Sequence, residues 1–97
     1  MRLSGFAIEV LGMLGNDYET PQAIASDLSR ELERTVKESE VRAALLSLAG
    51  EGWAQAFVFE PAAGRYTAVE AAEAEEEKAL WFVATSEGMA AYEDSAG

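Results

Sequence analysis

Apolar residues recur at helical spacing in the first half of this chain and at strand spacing in the second. Leu3, Ala7, Val10, Leu11 and Leu14 step by three and four residues, which gathers them on one side of a helix from about Leu3 to Leu14. Gly15-Asn16-Asp17 closes that helix with residues that tolerate left-handed backbone, and Tyr18-Glu19 follows as a short extended link. A second helix opens at Thr20-Pro21. The threonine hydroxyl can cap it, and proline suits the first helical position because its missing N–H would have no partner there. Its stripe is Ile24, Ala25, Leu28 and Leu32, and it frays between Glu31 and Thr35. A third helix, capped at Thr35 or Ser39, runs to about Gly50 with Val41, Ala44, Leu45 and Leu48 inward, and Gly50-Glu51-Gly52 stops it.

The period then changes. Trp53 to Phe59 is aromatic and β-branched, as a strand requires. Pro61 to Gly64 is a turn, and Arg65 to Val69 is a returning strand. Glu70 to Lys78 is a run of alanine and glutamate, with five Glu and one Lys, and reads as a solvated loop or a short exposed helix. Leu80 to Ala84 is a strand. Thr85 caps a last helix of about Ser86 to Tyr92, whose Glu87 sits at the positive end of its dipole. Three helices followed by a small antiparallel sheet and a short C-terminal helix make an α+β class. At 97 residues, with no repeat and no linker, the chain reads as one domain over 1–97.

Two stretches carry a family resemblance. Val41-Arg-Ala-Ala-Leu-Leu-Ser-Leu-Ala-Gly-Glu-Gly-Trp53 resembles a recognition helix that ends in glycine and leads into a wing. Leu80-Trp-Phe-Val-Ala-Thr-Ser-Glu-Gly-Met89 is similar to the strand, threonine cap and glycine-containing helix that close many bacterial winged helices. With Phe6-Ala-Ile-Glu-Val-Leu-Gly-Met-Leu14 as the opening helix, the order over about residues 3–92 resembles the winged helix-turn-helix superfamily, including PadR-like transcriptional regulators. The resemblance implies a winged helix in which the helix over residues 39–50 would read DNA in the major groove.

Charge opposes that use. Eighteen acidic residues face seven basic ones, a net charge of −11, whereas holding DNA means bringing Lys and Arg to phosphates and releasing counterions. Stepping 100° per residue from Val41 points Ser39, Glu40, Arg42, Ala43, Leu46, Ser47 and Gly50 outward, with one cation among them. Leu46 and Ala43 stand where polar or basic groups are expected on a DNA-reading helix. In the wing Arg65 stands alone before the acidic run Glu70 to Glu77. Arg30, Arg34, Lys37, Arg42, Ser47 and Arg65 are the residues that would meet nucleic acid. The competing expectation is that Arg30, Arg34, Lys37 and Arg42 pair locally with Asp27, Glu31, Glu33, Glu38 and Glu40.

The strands point to protein. Alternation puts Trp53, Gln55, Phe57 and Phe59 on one face and Ala54, Ala56 and Val58 on the other, while Trp81 and Val83 oppose Leu80 and Phe82. Both faces are apolar, so something must cover the second. The candidates are the chain's own helices with Tyr66 and Tyr92, the acidic segment folding back, or another molecule. The candidate partner-binding residues are Leu46, Ala43, Trp53, Phe57, Phe59 and Trp81. The functional expectation is a winged-helix protein-interaction module acting as a homodimer or on another protein, with a DNA-binding regulator as the alternative.

Other classes are disfavoured by what is missing. The sequence has no Cys and no His, which removes thiolate chemistry, disulfides, zinc sites built on them and the usual neutral-pH base. Glu73, Glu75, Glu76 and Glu77 lack the alternating ligands and glycine bend of a dedicated Ca²⁺ loop. No enzymatic activity, cofactor or metal is expected. Residues 1–14 are too short, with Glu9 inside them, to read as a signal peptide, and no apolar run suffices for a membrane span, so a cytoplasmic location is expected.

Overall fold

The computed structural model describes residues 5–14, 18–70 and 80–96. The elements are α1 (Gly5–Met13), α2 (Pro21–Glu31), α3 (Glu38–Gly50), β1 (Ala54–Glu60), β2 (Arg65–Val69), β3 (Trp81–Ala84) and α4 (Ser86–Ala96). Leu3, the turn at residues 15–17 and most of the acidic run, residues 71–79, lie outside the described residues.

The three helices form around the stripes the spacing predicts. Val10, Leu11 and Leu14 from α1, Ile24, Ala25 and Leu28 from α2, and Val41, Leu45 and Leu48 from α3 are all buried. Thr20 caps α2 by accepting the Ala23 N–H at 3.2 Å, with Pro21 in the first turn. The turn from α2 to α3 is built without glycine. Glu33 takes a left-handed conformation (φ 54°), and the half-buried Ser29 hydroxyl donates to Ala25 O at 2.7 Å while accepting from the buried Val36's N–H at 2.9 Å.

The expected cap of α3 at Thr35 or Ser39 is corrected to Lys37. An ammonium cannot accept a hydrogen bond, so half of a capping box forms: the Lys37 N–H donates to the Glu40 carboxylate at 3.4 Å. The last helix is longer than expected, ending at Ala96 and not Tyr92, because neither glycine nor proline follows Tyr92 before Gly97.

The sheet has the order β2-β1-β3 with both neighbour pairs antiparallel. The link before α2 extends it. Glu19 donates to Phe82 O at 3.0 Å and accepts from the Phe82 N–H at 2.8 Å, on the edge of β3 away from β1. Helix, extended link, two helices, the β1–β2 hairpin, the closing strand β3 and a last helix fit the topology of a winged helix, with β1 and β2 as the wing hairpin. The inner face of the sheet, carrying Ala54, Ala56 and Phe82, completes the core.

The closing helix is pinned to the α3–β1 turn. Thr85 accepts from the Gly88 N–H at 3.0 Å, donates from its hydroxyl to Gly52 O at 2.7 Å, and donates its own N–H to Trp53 O at 3.1 Å. Gly88 is required by this approach: a Cβ there would sit 1.9 Å from the Trp53 carbonyl oxygen. Farther along α4, Tyr92 lies against Gly12 of α1, where a Cβ would come within 2.7 Å of the ring.

Candidate functional site

Strand register defines the two faces of the sheet. Phe57 pairs with Ala68 and Trp81, Phe59 with Tyr66, and Gln55 with Val83. Directly opposed residues share a face, so Gln55, Phe57, Phe59, Tyr66, Ala68, Trp81 and Val83 form the outer one. The inner face holds Ala54, Ala56, Val58, Thr67, Val69, Phe82 and Ala84. Small residues line the inner face of β1 because α3 packs directly on it. The bulky rings of the same strand point away from the helices.

On the outer face the rings assemble into one cluster. Tyr18, from the link before α2, stacks on Tyr66 with centroids 3.8 Å apart and planes 10° from parallel. It meets Phe57 edge-on at 5.0 Å. Tyr66 also contacts Phe59 at 5.1 Å and Trp81 at 5.5 Å, the latter near perpendicular. The contacts of Phe57 with Tyr18 and of Trp81 with Tyr66 are the edge geometries that the ring quadrupole favours. Tyr18 remains 38% exposed and Phe59 43% exposed. Among the described residues, Tyr18 is the aromatic side chain laid over this face from outside the sheet. Tyr92, a candidate for covering it, is held against α1 instead. At one margin the Gln55 side-chain amide donates to Val69 O at 3.0 Å.

Six residues were expected to bind a partner, and three of them come together. Phe57, Phe59 and Trp81 are members of the ring cluster. Ala43 is exposed on α3, away from them. Leu46 is half-buried against the core, since α1, α2 and β1 all pack on α3 and widen the arc they cover. Trp53 corrects the alternation. It precedes the strand, in a bend after Gly52 (φ 82°), and its N–H donates to Leu48 O at 2.9 Å. The chain is not yet extended there, so Trp53 packs against the core rather than beside Phe57. Tyr18 was missed as a member because its place depends on the non-local bridge between Glu19 and Phe82.

The basic residues are arranged differently. Arg30 pairs with Asp27 at 2.6 Å on an exposed surface. Arg34 lies 3.8 Å from Glu40, donates to Thr35 O at 3.2 Å and has its guanidinium 5.7 Å from the Phe6 ring centre. Such pairs contribute little to stability, but they occupy two of the cations that would face phosphates. The first turn of α3 carries Glu38 and Glu40, where a reading helix would present its positive end to DNA. Arg42 is half-buried, and Lys37 and Ser47 are exposed nearby. Arg65 is at the far end of the hairpin, in register with Glu60.

Among the described residues no three carboxylates converge as a metal site, and no helix is long and apolar enough to cross a membrane. Glu73 to Glu77 lie outside them. No family model matches the chain, and no curated protein and no solved structure matches it.

Proposed function

We propose that this chain is a winged-helix module that works by binding protein, and that the outer face of its sheet is the binding surface. The observation that carries the reading is the cluster of Tyr18, Phe57, Phe59, Tyr66 and Trp81, two of whose rings are substantially exposed. Contiguous apolar surface of this kind marks interaction sites, and Tyr and Trp are the residue types enriched at interface hot spots. A homodimer is the case in which the partner is a second copy. Arg30 and Arg34 are already engaged, and Glu38 and Glu40 guard the start of α3, so the usual reading surface is poorly equipped for DNA.

The alternative, a PadR-like DNA-binding regulator using α3, is favoured by the topology and by Lys37 and Arg42, which have no ion-pair partner among the described residues. Fluorescence anisotropy with a labelled mixed-sequence duplex at low ionic strength separates the two. The protein-binding reading expects no complex. A complex that weakens steeply with salt and disappears in Arg42→Glu would contradict it.

A further inference from the structure

The outer sheet face combines two properties that together select a ligand class. It is a platform of aromatic rings, and it belongs to a strongly acidic body of net charge −11. Aromatic platforms bind single-stranded nucleic acid by stacking and anchor at lipid interfaces, but both ligands bring phosphate, which an acidic body repels. A second copy brings another net charge of −11 to the same interface, and like charge opposes the approach. What remains attractive to acid and aromatic ring together is a cation, most of all a guanidinium, which lies flat on ring faces and is less strongly hydrated than an ammonium.

Local placement agrees with the overall charge. None of the residues at outer-face positions, Gln55, Phe57, Phe59, Tyr66, Ala68, Trp81 and Val83, is basic. Arg30, Arg34, Lys37 and Arg42 belong to the helical layer, which covers the opposite face of the sheet. Arg65 falls on the inner side of the register, opposite Glu60. Glu70, directly after β2, is exposed. The chain already makes one such contact elsewhere, with the Arg34 guanidinium 5.7 Å from the Phe6 ring centre.

Building on the protein-binding reading, we infer that the outer face receives an extended, arginine-bearing segment of a partner protein, with guanidinium groups on the exposed rings of Tyr18 and Phe59, which Tyr66 backs from between them. The acidic body draws the segment in, and the rings fix its position.

The test is a titration of the whole chain with a synthetic peptide of alternating arginine and proline at near-physiological salt, followed by backbone amide NMR and by Trp fluorescence. Proline keeps the probe extended. The expected result is saturable binding with shifts concentrated at Tyr18, Phe57 to Phe59, Tyr66 and Trp81. Phe59→Leu keeps an apolar side chain and removes an exposed ring, and it should weaken binding about threefold, with about tenfold for Tyr18→Leu combined with it. Circular dichroism of each variant establishes that the fold is intact. Exchanging arginine for lysine in the probe should weaken binding, and an acidic peptide should not bind. Three results would overturn the inference: absence of binding, shifts spread over acidic residues throughout the chain, or affinity unchanged in both leucine variants. Sedimentation showing that copies associate through this face would also overturn it while leaving the protein-binding reading standing. DNA binding through Arg42 would remove that reading as well.

Discussion

The two faces of β1 differ in a way that a core alone does not explain. Facing the helices, Ala54 and Ala56 are 3% and 0% exposed and Phe82 beside them is completely buried. Facing outward, Phe57 and Phe59 contribute larger side chains to a surface with no second layer of helices or strands among the described residues. If burial were the only demand on this sheet, the large rings would be inside and small or polar residues outside. The inner face is shaped by how closely α3 approaches, and the outer face is apolar for another reason, which we assign to binding.

That contrast sets unequal costs for substitutions on the two sides. Phe82→Ala removes a fully buried ring from the inner face and should cost about 3–5 kcal/mol, enough to leave much of a small domain unfolded in a urea titration. Gly88→Ala forces a methyl into the Trp53 carbonyl, so α4 must shift. A loss of about 1–3 kcal/mol is expected, read as a lower urea midpoint. Thr85→Val keeps the shape but removes the cap and the hydroxyl bond to Gly52 O, for about 1 kcal/mol. Phe59→Ser, on the outer face, should change stability by less than about 1 kcal/mol while weakening severalfold whatever association uses that face. A loss comparable to Phe82→Ala would mean that the rings are structural and the comparison fails. The smallest effect is expected from Arg30→Ala, within about 0.5 kcal/mol, since its pair with Asp27 is exposed.

Much of the fold was legible because its signals are local. The stripes of the helices, the Thr20-Pro21 start of α2, the turn at Pro61 to Gly64 and the Thr85 cap each need only a few neighbouring residues. The departures have non-local causes or lack the usual residue. The α2–α3 turn uses a left-handed Glu33 where glycine is the ordinary marker, and α3 begins at a lysine that cannot cap with its side chain. Trp53 looked like part of the strand because composition does not reveal where extension starts. The candidate site was half legible. Alternation placed Phe57, Phe59 and Trp81 together, but the roles of Tyr18 and Tyr66 depend on register and on the Glu19–Phe82 bridge, which no local pattern encodes.

The most direct test is position-specific photo-crosslinking in cells, with benzoylphenylalanine replacing Phe59 on the outer sheet face in one variant and Ser47 on α3 in another. The binding account predicts protein adducts from position 59, either a partner or a second copy, and none of comparable yield from position 47. Nucleic-acid adducts from position 47 with nothing captured at position 59 would contradict it.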